Sequence, residues 1–338
     1  MIGFDALWDS MLKCRRGVMW KGSVASFVLN GAESISKLSA ELADGTYAPR
    51  RTSTFQVTSP KVRTITSTPF RDRVYQRSLN DVVLYPLVTR SLVYDNAACQ
   101  TGKGTDFARN RLKCHMQRHY RKHGTDGWVL HIDIKGYYAN LPHWLGESVF
   151  DCTPDWARAR AVAVLRSQYA GETGYNPGSQ MVQIVGIAAL DAVDHFVKER
   201  LRVKGYVRYM DDLVLVHESR DFLEACLEEV AGLLRNLGLE VHTGKTRFRE
   251  LADRTPFLGF DFRLTPTGKV VMTVRPESVK RMRRRVRRLM KREQGGLSPP
   301  GTARESYMGW RAHAEKGDSR LLLERCDRWF KFLEGETR

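Results

Sequence analysis

Three carboxylates have the residue types and surroundings for metal-assisted chemistry. Asp133 closes the apolar run Trp128-Val-Leu-His-Ile-Asp133, which reads as a buried strand ending in a carboxylate. Asp211 and Asp212 lie inside Gly205-Tyr-Val-Arg-Tyr-Met-Asp-Asp-Leu-Val-Leu-Val-His217, where β-prone residues on both sides of the acidic pair predict strand, tight turn, strand. If the strands are neighbours in one sheet, carboxylates 78 positions apart meet. Such a cluster repels itself unless cations bind. Oxygen-only donors select hard ions such as Mg²⁺, and two such ions ~3.5–4 Å apart activate an attacking oxygen and stabilise a leaving one in phosphoryl transfer. A lone Asp-Asp pair is more often a solvated turn. Here the pair interrupts two apolar strands, and a third Asp ends another.

Other motifs carry less. GKGT at 102–105 lacks the G-x-x-x-x-G-K-[ST] spacing and the strand–loop–helix context of a P-loop. Cys114, His115, His119 and His123 could line one helix face as a zinc site, but HMQRHYRKH reads better as a basic helix near nucleic acid. Cys14, Cys99, Cys114, Cys152, Cys226 and Cys326 are scattered without a CxxC pair, so neither a zinc ribbon nor a disulfide framework is suggested. A reducing cytoplasm fits that usage.

The elements that would position the carboxylates read as α+β without an internal repeat. Helical spacing covers residues 4–45, and TFQVTSPKVRTIT (54–66) alternates around a Ser-Pro turn as a hairpin presenting Lys61 and Arg63. RDRVYQRSLNDVVLYPLVTRSLV has helical period. A helix over about 155–169, the loop GETGYNPGSQ and a long core helix over 181–201 precede the acidic hairpin. After it come a helix over about 219–237, the turn Gly238–Lys245 and a further hairpin in TPFLGFDFRLTPTGKVVMTV. Residues 275–292 hold ten Lys/Arg, with Val279, Met282, Val286, Leu289 and Met290 at helical spacing, so a basic amphipathic helix is expected there. EQGGLSPPGT (293–302) separates it from a last helical unit.

The 338 residues, 42% hydrophobic, suffice for a sizeable core and about two packing units, excluding intrinsic disorder and a disulfide-stapled miniprotein. The net charge of +17 points to a polyanionic partner, nucleic acid before an anionic membrane surface. Residues 275–338 alone carry 18 basic and 9 acidic side chains. The basic helix lacks Trp and Phe, which argues against membrane insertion. Asp5 and Asp9 stand where a signal peptide needs positive charge, and no apolar run approaches the ~18 residues that span a bilayer. No membrane partner is expected.

Tyr209-Met-Asp-Asp212 with its flanks resembles the YxDD signature of reverse transcriptases, and HIDIKGYYANLP resembles their first catalytic motif. In the same order, SPKVRTI, PFRDRVYQRSL and DNAACQTGKGTDFA resemble fingers motifs of prokaryotic reverse transcriptases. PGSQMVQ resembles the loop before their palm helix, and Gly244-Lys245 and Phe257-Leu-Gly-Phe260 resemble two later palm motifs. The likeness covers about residues 50–290. It implies a right-hand polymerase fold: a helical N-terminal segment (1–50), fingers (51–127), an antiparallel palm (128–265, with a fingers insertion about 145–180) and a basic helical thumb (266–338).

The resemblance further implies RNA-directed DNA synthesis from dNTPs, with two Mg²⁺ ions (Mn²⁺ as a substitute) bound by Asp133, Asp211 and Asp212 and, beside Asp133, by Ile134. Tyr138 matches the aromatic gate that excludes a 2′-hydroxyl. Lys61 and Arg63 match residues that hold the triphosphate, Gly178 and Gln183 match a loop on the nascent base pair, and Lys245 matches a lysine that protonates leaving pyrophosphate. Arg73, Lys103, Arg283, Arg284, Arg287 and Arg288 are the expected nucleic-acid contacts, the last four gripping template–primer phosphates from the thumb.

The strings DRVYQRSL, GSxxxQ and SYMGWRAH are most similar to the enzymes of diversity-generating retroelements and of related antiphage-defence systems; a retron Val-Thr-Gly motif is lacking. One departure is Val182-Gln183 where the diversity-generating family has Ser-Gln, so adenine-directed infidelity is not carried over. A stand-alone polymerase core is expected, with an RNA template, a DNA primer or product, a cognate structured RNA and an accessory protein as partners. A non-catalytic RNA-binding scaffold is the alternative from another class, and a two-metal nuclease a third. The intact carboxylates speak against the first, and the gate aromatic and fingers motifs against the second.

Overall fold

The computed structural model describes residues 2–58 and 62–336. The chain opens on α1 (Phe4–Cys14), α2 (Gly22–Leu29) and α3 (Gly31–Ala43), then forms the antiparallel hairpin β1 (Ser53–Val57) and β2 (Arg63–Ser67). α4 (Phe70–Leu79) continues through a π-helical turn at Asn80–Leu84 into α5 (Tyr85–Val88) and is followed by α6 (Thr105–His123). α1 delivers Leu7 and Met11 into the same core as Val74 and Leu79 of α4, as their helical spacing requires.

The next segment holds β3 (Trp128–Asp133), α7 (Tyr137–Asn140), α8 (His143–Ser148), α9 (Asp155–Gln168), α10 (Gln180–Ala188) and α11 (Asp191–His195). It ends with β4 (Gly205–Tyr209), β5 (Asp212–His217), α12 (Arg220–Asn236) and β6 (Arg247–Glu250). The four strands make one antiparallel sheet in the order β4-β5-β3-β6. The mostly apolar sequences of β3, β4 and β5 reflect burial on both faces, whereas the edge strand β6, Arg-Phe-Arg-Glu, has no buried residue. Leu130, Ile132, Tyr206, Leu213 and Leu215 enter one core with α10 and α12, while Val129, Val207, Val214 and Val216 enter another with Leu112 and Met116 of α6.

The long core helix expected over 181–201 is broken. α10 and α11 are separated at Ala189–Leu190, and a π-helical stretch, Phe196–Arg200, follows. Arg208 Nη2 (2.7 Å) and Asn96 Nδ2 (3.0 Å) both donate to the Ile187 carbonyl, the kind of side-chain insertion that interrupts a helical ladder. Gln180–Arg200 is long and apolar enough to cross a membrane by composition, contrary to expectation, but 67% of its most apolar stretch is buried, which makes it a core helix.

The segment expected as one hairpin gives three strands, β7 (Thr255–Phe257), β8 (Phe260–Leu264) and β9 (Val270–Val274), whose Phe257, Phe260 and Phe262 pack below α6. α13 (Pro276–Gln294), α14 (Thr302–Ala314) and α15 (Arg320–Glu336) then close around Met282, Val286, Tyr307, Cys326 and Phe330. The apolar stripe of the basic helix is thus covered, and its basic face is left outward.

Candidate active site

Sheet register brings the carboxylates to one edge. Asp133, last in β3, is the cross-strand partner of Asp212, first in β5, and Asp211 precedes it in the β4–β5 turn. Burial, then the charge of Asp212, and more weakly that of Asp133, push the Asp211 carboxyl up. Lys245 partly offsets that charge, and His131 hydrogen-bonds to the cluster. Lys245 Nζ lies 2.8 Å from Asp133 Oδ1, and His131 Nε2 lies 3.1 Å from Asp212 Oδ1, where the imidazole N–H donates because a carboxylate only accepts. The turn carrying Lys245 is anchored to β3, with the His242 amide donating to the Asp133 carbonyl at 2.7 Å.

Mutually repelling oxygen donors at one strand edge suit a hard divalent cation in donor type and charge. Among the described residues no three His, Cys, Asp or Glu side chains are drawn into a ready ligand cluster; Asp133 pairs with Lys245 and Asp212 with His131. Ile134 follows Asp133 with its side chain buried, so only its main chain could join a ligand set.

The turn is braced from beneath. Met210 sits at φ +56, a left-handed conformation disfavoured for a side chain of its size. Arg208, 0% exposed, donates from Nη1 to the Met210 carbonyl at 3.0 Å and from Nη2 to the Ile187 carbonyl. Asp194, also 0% exposed, takes the rest of the guanidinium at 2.6 Å through both carboxylate oxygens and accepts from the Tyr206 hydroxyl.

Tyr138 stands on the other side of the turn. Its hydroxyl donates to Met210 Sδ at 3.6 Å, and burial pushes its phenol well up, so the hydroxyl stays protonated. The ring rests on α10: a Cβ built on Gly186 would lie 2.3 Å from the Tyr138 hydroxyl, and the Gly186 carbonyl accepts from Tyr137 at 2.7 Å. Arg63, Tyr138, Asn176, Asp211 and Asp212 line one cleft of 870 Å³. A neighbouring hollow of 440 Å³ holds Asp133, Lys245 and Arg275 and shares Asp212 with it.

The remaining expected residues separate. Lys61 lies outside the described residues. Gly178, at φ +154, packs on the hairpin, where a Cβ would approach the Thr66 carbonyl to 2.6 Å. Gln183 opens into a different hollow, with Arg77, Tyr85 and Gln100. Lys103, expected on nucleic acid, donates instead to the Tyr94 (3.0 Å) and Asn96 (2.9 Å) carbonyls and braces its own loop. Arg73 is half-buried over the Phe70 ring. Arg283 and Arg287 stack on Trp329 of α15, at 5.2 and 5.8 Å, while Arg284 and Arg288 point outward. Arg208, Asp194 and Gly186 were not singled out from the sequence. The available signal was an arginine between Val207 and Tyr209 in a buried strand and an aspartate in an apolar helix, each implying a partner.

Residues 55–262 match the family described as reverse transcriptase (RNA-dependent DNA polymerase). No curated protein matches the chain. Among solved structures it is similar to telomerase from Candida albicans in complex with a TWJ fragment of telomeric RNA, with 12% identity, 71% of this chain and 51% of that one covered, and TM-score 0.48. It is also similar to apo telomerase from Candida tropicalis (12%, 70% and 51%, 0.48) and to that enzyme truncated from its C-terminal domain (13%, 71% and 59%, 0.45). The chain spans about half the length of the first two. With more than half of its residues inside the family match and an antiparallel palm sheet carrying the YxDD turn, the chain belongs to the reverse transcriptases, the RNA-dependent DNA polymerases, and is a nucleotidyltransferase.

Proposed function

We propose that the protein extends a DNA 3′ end on an RNA template from dNTPs, using two Mg²⁺ ions, for which Mn²⁺ can substitute, held by Asp133, Asp211, Asp212 and the main chain of Ile134. The observation that carries this is the pairing of Asp133 with Asp212 across β3 and β5 beside Asp211, with Asp211 and Asp212 lining a cleft that also holds Tyr138. When bound, the ions would activate the 3′-hydroxyl and neutralise charge on the leaving pyrophosphate. The chain's own residues supply the rest. Tyr138 forms a rigid wall where a 2′-hydroxyl would sit, and Arg63 with Lys61 meets the triphosphate. Lys245 holds a proton at Nζ beside the cluster, available to the leaving group. Arg284 and Arg288 face outward for duplex phosphates.

The likeness of DRVYQRSL and SYMGWRAH supports work in a diversity-generating retroelement or a phage-defence system, with a cognate structured RNA and an accessory protein as partners. Extension of a labelled DNA primer on an RNA template with dNTPs and Mg²⁺ tests the reading. A ladder of longer products is expected. Shortened strands would indicate a nuclease, and an unchanged primer, with the cognate RNA and native neighbours supplied, a scaffold.

A further inference from the structure

His217 closes β5 five residues from Asp212, about 17 Å away at a strand's rise. There it lines a separate pocket of 240 Å³. α6 contributes Arg118 and Lys122 to that pocket, and the loop before β4 contributes Arg202 and Lys204. These four cations are exposed, and among the described residues none has an ion pair or a side-chain hydrogen bond. The carboxylate present, Glu218, is shared between His123 (3.7 Å) and His217 (3.6 Å). Arg202 is held at φ +56, a left-handed conformation disfavoured for a side chain of its size and concentrated at functional sites. His115, only 3% exposed, also lines the pocket; its Nε2 meets Asp95, and its buried Nδ1 has no hydrogen-bond partner among the described residues.

The lining is rich in fixed positive charge, and Val216 is its one aliphatic side chain. Its volume falls below the ~300–1,000 Å³ of pockets that enclose drug-sized ligands. Two guanidinium forks and two ammonium groups line it against the single carboxylate of Glu218, which the histidines take, an excess of positive charge that matches a phosphate group. We propose that this pocket is a phosphate-binding site that seats the backbone of an RNA strand outside the catalytic cleft. The inference rests on the reading that the chain works on RNA. A membrane surface fits less well because the lining offers no large apolar side chain to insert.

The test uses the full chain and a labelled 40-nucleotide oligouridine, with the catalytic cleft filled by an excess of a short primer–template. Arg118→Glu/Lys122→Glu and, separately, Arg202→Glu/Lys204→Glu should each weaken oligouridine binding at least tenfold. Each should also make the slope of log K against log salt shallower by about 1, since each phosphate contact contributes ~0.7 on a single strand. Extension of the short primer–template should stay within about twofold, which also reports that the variants fold. Unchanged affinity and slope in both variants would overturn the proposal. So would equal binding of polyglutamate at the same residues, or competition by inorganic phosphate with no binding of oligouridine. If the wild type binds oligouridine through these residues yet extends no primer, the pocket stands and the polymerase reading fails.

Discussion

Arg208 Nη1 donates to the Met210 carbonyl at 3.0 Å, so the turn that presents Asp211 hangs from a guanidinium wholly removed from solvent. Breaking a buried pair by removing one partner costs about 3–5 kcal/mol, and Arg208→Met or Asp194→Asn should lower stability by that order in urea titrations. Arg208→Lys keeps the charge but cannot span Asp194, Ile187 and Met210 at once. It should fold with a lowered midpoint and lose at least tenfold in single-turnover extension rate. A wild-type rate would show that the turn holds its shape without the fork.

Gly186→Ala should act through Tyr138. The added methyl meets the hydroxyl first, at 2.3 Å, and the ring carbon Cζ at 2.8 Å. Incorporation of dNTPs should therefore fall about tenfold as the ring is displaced toward the cleft, and Tyr138→Phe in the same chain should recover part of the loss. No effect of Gly186→Ala on the incorporation rate would separate α10 from the gate.

Tyr138→Ala should raise incorporation of ribonucleotides relative to deoxynucleotides, measured by competition at a single template position. Unchanged rejection of ribonucleotides would remove the gate role from Tyr138.

Burial alone would raise the Asp95 carboxyl, but His115, Arg111 and Lys198 hold it well below the usual carboxylate range. A carboxyl depressed in the folded state gives stability that is full above its unfolded value of about 3.9 and lost as pH falls toward the folded one. Asp95→Asn should cost about 3 kcal/mol at pH 7 and flatten the decline in urea midpoint below about pH 5. A parallel decline in both proteins would contradict this.

The placement of the three carboxylates was legible because its signals are local. Apolar strands that end or break at Asp133, Asp211 and Asp212 leave few other arrangements, and Lys245 was placed by the motif around it. What was not legible depends on partners distant in the chain. Asp194 in an apolar helix reads as an interruption until Arg208 is seen beside it, and the break after Ala188 follows from donors on Asn96 and Arg208. Lys103 looked free because the Tyr94 and Asn96 carbonyls that accept its hydrogen bonds carry no side-chain signal. Gln183 faces away from the cleft because α10 turns its buried side, with Val182 and Val185, toward the core.

The paired strand-end carboxylates are proposed to serve nucleotidyl transfer on an RNA template. That role is tested most directly by comparing wild type with Asp133→Ala and Asp211→Ala in extension of a labelled DNA primer on RNA, with RNA affinity measured in parallel. A product ladder is expected for wild type alone, with RNA binding within a few-fold for all three proteins. Extension retained by both variants would contradict it.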